Sequence, residues 1–426
     1  MKVVLISRSD LRGGAAVFTF RLMVALRNNG VDAKMLVVEK LSADRSVMSY
    51  ANYFQDKLNF LLERFEIFIR NGFSRKTLFH VDTAHYGRDI SEHPWIKEAD
   101  YIILNWMNQG ALSLRGVKRI LELGKPTIWN LHDMWCLTGI CHHAYDCNRY
   151  TQDCGHCPLL KSNKYNDLSH RVWLSKSQLY RYENLHFVAV SNWIKEKCRQ
   201  SNLLSQHPVS VIPNSISLSA YQEPKHEGLN QILQDIEKIR QTQSQILAIA
   251  AARLDDPIKG LPLLIVALNI FKRKYQTNIH LLLIGSLRDE SWLAKIPNDY
   301  TFTGPLNPNE VFAVMHHVDV VLSTSHYESF GGTLIEGMLA GCVPVSFDNG
   351  GQRDIISHQQ TGYLAQYPSA DDFADGIKWA LASKISKSVL ENTVLSNFGA
   401  DVVAKKYIKL FDRISHNATT QEGVSR

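Results

Sequence analysis

Two carboxylates around a glycine pair form the stretch of the chain best suited to chemistry. Glu328 stands just ahead of Phe330-Gly331-Gly332-Thr333, and Glu336 follows inside what reads as the first turn of a helix from Gly332 to Ala340. An apolar, strand-like run from Val318 to Leu322 precedes them, so the glycines fall where a strand ends and a helix begins. Open α/β sheets bind ligands at such places. Paired glycines let the backbone come close to a ligand, and the N–H groups of the first helical turn point at any anion set there. Each carboxylate accepts hydrogen bonds and donates none, which suits hydroxyls. The spacing therefore serves a diphosphate at the glycines with hydroxyl-rich groups at the glutamates.

A second set is cationic. Arg253 and Lys259 share one loop, between a strand over Ile246–Ala251 and a helix over Leu261–Tyr275. A guanidinium fork and an ammonium point charge both suit phosphate oxygens. The adjacent Asp255 and Asp256, in a loop with Pro257, have poor geometry for a divalent cation. His132 ends a strand over Pro126–Leu131, and Asp133 beside it is placed to orient the ring by accepting a hydrogen bond. Gly13-Gly14 joins a first strand to a helix over Val17–Asn28, as a tight turn or a ligand loop. Three spaced glycines are lacking there, so a redox dinucleotide is weakly supported.

Glu328, seven residues, Glu336 and then Gly341-Cys342-Val343-Pro344-Val345 closely resemble the signature of glycosyltransferase family 4. The resemblance covers most of the chain and is strongest in its second half. Members are retaining, nucleotide-sugar-dependent enzymes of the GT-B fold, which implies an α/β chain of two Rossmann-like domains facing across a cleft. The implied division is 1–214 for the acceptor domain, 215–400 for the donor domain and 401–426 for a helix crossing back to the first domain. The resemblance also implies roles. Arg253 and Lys259 match the element that holds the donor diphosphate, and His132 matches a histidine that contacts the transferred sugar. With Glu328 these form the catalytic set. Gly13, Gly14, Phe330, Gly331, Gly332, Thr333 and Glu336 form the substrate-binding set, and strand ends at Gly285-Ser286 and Gly304-Pro305-Leu306 hold the nucleoside. The expected partners are a nucleotide diphosphate sugar and a glycan or lipid-linked acceptor, in cell-envelope or exopolysaccharide assembly, with no cofactor required for catalysis. A nucleotide-sugar epimerase of the same fold is the neighbouring reading.

Cys136, Cys141, Cys147, Cys154 and Cys157 crowd one segment, 136–158, with His142, His143 and His156 among them. Cys154-Gly155-His156-Cys157 has the spacing of a metal knuckle, and Cys141 and Cys147 would complete a closed tetrahedral zinc site. Such a zinc would staple a loop and not catalyse. A cluster of reduced thiols is the alternative.

These residues need two α/β series to position them. With 426 residues, 45% hydrophobic and 21% charged, the chain has the length and composition for two globular domains. A polar stretch over Ser215–Glu227 reads as the linker, and residues beyond Ser415 as a frayed tail. The formal charge of +6 favours anionic partners. From Tyr50 to Lys76 a helical, basic and aromatic region either packs on its own sheet or lies on an anionic membrane face. No run approaches the roughly 18 to 20 apolar residues of a spanning helix. The start reads as a strand and not a signal peptide, so the expected location is cytoplasmic, with peripheral contact to the inner membrane face. Basic residues are dispersed and no nucleic-acid module is recognisable, so nucleic acid is not an expected partner. A zinc-knuckle nucleic-acid-binding protein is the reading from a different class.

Overall fold

The computed structural model describes residues 1–218 and 227–424, without side chains for 227 and 417–424. Most of the linker read from the sequence, and the end of the tail, therefore lie outside the described residues. The chain divides into two compact units, one of 1–215 with 400–426 and one of 216–399.

The first unit opens with β1 (Lys2–Ser9), α1 (Gly14–Asn28), β2 (Asp32–Glu39), β3 (Val47–Ser49) and α2 (Tyr53–Arg70). It continues with α3 (Pro94–Glu98), β4 (Tyr101–Leu104), α4 (Leu114–Leu121), β5 (Thr127–Leu131) and α5 (Leu168–Leu179). β6 (Leu185–Ala189), α6 (Asn192–Gln200) and β7 (Val209–Val211) complete its sheet. The second unit runs α7 (Glu227–Gln241), β8 (Gln245–Arg253), α8 (Leu261–Tyr275), β9 (Ile279–Ser286), β10 (Asp299–Gly304) and α9 (Pro308–Met315). Then come β11 (Val320–Ser323), α10 (Gly332–Ala340), β12 (Val343–Phe347), β13 (Tyr363–Ala365), α11 (Ala370–Ala382) and α12 (Lys387–Phe398). α13 (Ala400–Val424) returns to the first unit.

Both sheets are parallel. The first has the order β3-β2-β1-β4-β5-β6-β7 and the second β10-β9-β8-β11-β12-β13. Parallel strands covered on both faces read as unbroken apolar runs, as at Val3–Ile6 and Leu281–Ile284, all at most 3% exposed. In each sheet the order reverses beside the first strand, between β1 and β4 and between β8 and β11. These are topological switch points, where the loops at the carboxyl ends diverge and leave room for a ligand.

α13 packs on α1 because Val403, Tyr407, Leu410, Phe411 and Ile414 recur every three or four residues and share one buried face. They join Val3, Leu5, Met23, Leu26 and Val37 in one core, and the Tyr101 hydroxyl donates to the carbonyl of Phe411 at 2.9 Å.

Candidate active site

In the second unit a cavity of about 50 Å³ opens at the switch point, beyond the ends of β8 and β11. Lys259, Ser325, Glu328 and Gly331-Gly332-Thr333 line it. The Lys259 ammonium lies 2.7 Å from Glu328 Oε1, which also accepts the Ser325 hydroxyl at 2.6 Å. Both partners of this ion pair keep about a quarter of their side-chain surface in solvent, so either one can exchange partners. Close approach of two backbones brings the lysine here. Gly260 has φ +65°, and a Cβ on it would sit 2.1 Å from the Thr324 carbonyl oxygen. The Thr324 hydroxyl then donates to the Lys259 carbonyl at 3.0 Å.

Gly331 caps α10 with φ 103°, a conformation that side chains rarely tolerate, and as a glycine it supplies no side-chain cap of its own. An uncapped helix N-terminus facing a cavity is a ready anion site. Arg253 is not among the residues lining the cavity. Its Nη2 donates to Asp256 at 2.6 Å, and Asp255 stands 3.5 Å from its Nε. Asp255 in turn accepts the N–H groups of Arg288 and Asp289. The two aspartates thus act on the arginine and the loop backbone, a role that their adjacency in sequence did not suggest.

One expectation needs correction. Glu336 lies beyond the first turn of α10, which holds no acidic residue. Phe330 is buried with its ring 5.7 Å from that of Phe398, and it is not among the residues lining the cavity. A second glycine pair holds the loop from the other side. A Cβ on Gly350 would meet the Glu328 backbone at 2.7 Å, and the Gly351 N–H donates to the Glu328 carbonyl at 2.7 Å. The neighbouring Gln352 is fully buried, with both side-chain polar atoms unpaired. A larger depression of about 490 Å³ elsewhere in this unit, near Gln359, Trp379 and Val389, holds none of the expected residues.

In the first unit Gly13 (φ 91°) caps α1, and a Cβ on Gly13 or Gly14 would meet nothing within 4 Å. His132 stands at the end of β5, lining a cavity of about 10 Å³ with Asn105, Asn130 and Tyr407. Its ring partner is Asn105, whose Oδ1 lies 3.0 Å from Nε2, and not Asp133 as the sequence suggested. A chain of hydrogen bonds supports that contact. Tyr407 of α13 donates to Asn130 at 2.9 Å, and Asn130 donates to Asn105 at 3.0 Å. Burial pushes His132 down to about 4, so the imidazole is neutral. With Nε2–H donating to Asn105, Nδ1 is left as an acceptor.

Asp133 is engaged by His142, whose two ring nitrogens lie 2.7 Å from Asp133 and 2.6 Å from Asp82. Arg64 also pairs with Asp82, and the Trp106 indole donates to Asp133 at 3.1 Å. Despite burial, the two carboxylates raise His142 to about 10, while the imidazolium holds Asp133 down near 2. Lys176 is buried too, donating to the carbonyls of Trp135, Thr138 and Gly139 at 2.6 to 3.1 Å. Asp82, His142 and Lys176 fix the segment after β5, and no spacing in the sequence marked them. Within that segment Cys141, Cys147, Cys154 and Cys157 are free thiols lining one cavity of about 20 Å³. Among the described residues, no group of three or more His, Cys, Asp or Glu side chains stands ready to hold a metal ion.

Two parallel sheets with covered faces, each with a switch point, make an α/β protein of two Rossmann-like units. Residues 231–393 match the family model for glycosyl transferases group 1, and the fold is that of the GT-B glycosyltransferases. It is 30% identical over 142 residues to a 2-deoxystreptamine N-acetyl-D-glucosaminyltransferase of Niallia circulans, an alignment spanning 32% of this chain and 36% of that one. An uncharacterized glycosyltransferase of Methanocaldococcus jannaschii is 24% identical over 80% of this chain and 90% of its own length. Among solved structures, Anabaena HepE in complex with UDP and glucose superposes with a TM-score of 0.62 at 15% identity, covering 97% of this chain and all of that one. No described helix is long and apolar enough to cross a membrane.

Proposed function

We propose that the chain transfers a sugar from a nucleoside diphosphate donor to an acceptor hydroxyl, with retention at the anomeric carbon. The observation that carries this reading is the Lys259–Glu328 pair, 2.7 Å apart in a cavity beside the uncapped start of α10. Breaking the sugar–phosphate bond leaves negative charge on the departing diphosphate. Lys259 and the N–H groups around Gly331-Gly332 are preorganised to stabilise it, and Arg253 contributes from the same loop. A bound diphosphate draws Lys259 away from Glu328, whose carboxylate then accepts a sugar hydroxyl. Glu336 takes the ribose diol, and His132 offers Nδ1 to another sugar hydroxyl. The leaving phosphate oxygen takes the acceptor's proton as the new glycosidic bond forms, so neither a covalent nucleophile nor a catalytic metal is required. Retention rests on the resemblance to family 4, and so does a place in cell-envelope or exopolysaccharide assembly.

Because HepE is solved with UDP and glucose and the Niallia relative is an N-acetyl-D-glucosaminyltransferase, UDP-glucose and UDP-N-acetylglucosamine are the first donors to try. The test is thermal unfolding with a panel of uridine, guanosine, adenosine and thymidine diphosphate sugars, followed by transfer to envelope glycans. One donor should raise the melting temperature, and Lys259→Ala should erase the shift. No shift with any donor would remove the proposal. Donor consumed without acceptor would favour the epimerase, and steeply salt-dependent RNA binding without donor binding would favour the nucleic-acid reading.

A further inference from the structure

Helix α2 turns its apolar side outward. Phe54, Leu58, Leu61, Phe65 and Ile69 recur every three or four residues along it, and each is between 42% and 80% exposed. Tyr53 at its start, with Phe73 and Phe79 just beyond its end, extend the same exposed apolar surface, each at least 60% exposed. A contiguous apolar patch of this length marks a contact surface. At eighteen residues the helix is about 27 Å long.

The charges on this segment are sorted by sign. Its three carboxylates turn inward. Asp56 pairs with Arg8 at 3.2 Å, Glu63 accepts the N–H groups of Thr83 and Ala84, and Glu66 lies 2.9 Å from His85. The exposed charges between Tyr53 and Lys76 are Lys57, Arg70, Arg75 and Lys76, all cationic. A second copy docked by twofold symmetry would set these cations against one another, so the face is not self-complementary. An anionic bilayer satisfies both components, taking the aromatic and leucine side chains between its headgroups while its surface charge attracts the cations.

We propose that the outward face of α2, with the turn that follows it, is a docking surface for anionic lipid bilayers. The helix lies in the plane of the interface and does not span it. This inference stands on the surface itself and does not depend on the reaction assigned above. If both hold, the acceptor is met at a membrane.

The test is sedimentation of the full chain with vesicles of phosphatidylcholine alone or mixed with phosphatidylglycerol. Wild type should partition at least about tenfold more strongly to the anionic vesicles and release at high salt. Phe54→Ser with Leu58→Ser and Phe65→Ser should abolish binding at unchanged melting temperature, since these side chains are more than half exposed. Lys57→Gln with Arg70→Gln, Arg75→Gln and Lys76→Gln should bring anionic binding down to the zwitterionic level. Wild type left in the supernatant, or binding unaltered in the serine variant, would overturn the proposal. So would a wild-type dimer in solution that the serine variant dissolves, because the face would then belong to a second copy.

A different observation carries a second inference, from the segment between β5 and α5. Besides lining one cavity, the four cysteines include a turn in which Cys154, Gly155 and His156 all have positive φ (58°, 79° and 45°). Such a backbone persists where its surroundings over-determine it. The Cys154 sulfur accepts the Gly139 N–H at 3.2 Å. We infer that Cys141, Cys147, Cys154 and Cys157 are the ligands of a structural zinc ion. Their present side-chain positions do not form a coordination set, so closing on the ion requires the loop side chains to rearrange. Elemental analysis of the purified full chain should find about one zinc, absent from the Cys154→Ser, Cys157→Ser variant. Less than about half an equivalent in wild type, or zinc retained by the variant, would overturn this assignment.

Discussion

Charged groups serve opposite ends in the two units. At the cavity of the second unit, Lys259 and Glu328 face each other with 29% and 21% of their side-chain surface exposed. In the first unit Arg64 and Asp82 are buried, at 5% and 1%, and His142 and Asp133, at 12% and 18%, complete a network in which every carboxylate has a cation against it. The chemistry of the groups is similar, and burial separates their roles. A pair that keeps about a quarter of its surface in solvent can part at modest cost and offer each member to a ligand. A desolvated pair loses far more on parting, so it holds structure. The segment after β5 needs such holding, because it runs from His132 to Asp167 with only short helical turns.

The largest expected effect tests that division directly. His142→Ala leaves Asp82 and Asp133 facing each other in the interior without the imidazolium between them. The expected loss of stability is about 3–5 kcal/mol, read from denaturant unfolding. Below about 1 kcal/mol, the network would be no more than a surface-like pair and the contrast between the units would fail.

Lys259→Ala should do the reverse. The melting temperature of the free protein should hardly change, while turnover falls by about 10²–10³ or more, the size seen when one preorganised donor to a developing anion is removed. Glu328→Gln keeps the shape and tests the other partner. If Lys259→Ala instead lowered stability as much as His142→Ala, the pair would be a structural bridge.

The cavity could be anticipated because its parts are local. Gly331, Gly332 and Glu328 lie within five residues of one another, and Lys259 is brought up by one more strand-to-helix loop. Strand, glycine turn and helix are written in apolar runs and breakers, so β4, β12, α8 and α10 occupy the spans that the sequence suggests. The first unit's network joins α2, the segment around Asp82 and the segment after β5, and no period links such distant positions. For the same reason the ring partner of His132 was misassigned to the adjacent Asp133, when Asn105 reaches it from the end of β4. Edge strands of three residues, β3 and β13, are too short to leave a pattern. The exposed face of α2 was undecided because an amphipathic period says that a helix has two sides, not which one is covered.

A smaller effect sharpens the contrast through pH. His142 is raised to about 10 against about 6.5 when unfolded, so its contribution is complete below pH 6.5 and is lost as pH rises through 10. His132 has the opposite sign. Lowered to about 4, it stays neutral in the fold while the unfolded chain takes up a proton, so stability falls as pH drops from 6.5 towards 4. These two groups predict a stability maximum near neutrality, with each limb no steeper than about 1.4 kcal/mol per pH unit. Unfolding midpoints of His142→Gln should lose the alkaline limb and keep the acid one. An unchanged alkaline limb would show that the imidazolium is not what holds Asp82 and Asp133.

Tyr407→Phe should cost least, about 0.5–1.5 kcal/mol, since it removes one hydrogen bond and keeps the ring. Its value lies in what it separates. The hydroxyl of α13 reaches His132 only through Asn130 and Asn105, so packing and positioning can be told apart. If the chain orients the imidazole, the variant keeps its donor affinity, because the groups proposed to bind the diphosphate belong to the second unit, and turnover falls several-fold. It should also relax the tautomer of His132, visible in the ring nitrogen chemical shifts. A stability change with neither effect would reduce the tyrosine to a core residue and leave His132 held by Asn105 alone.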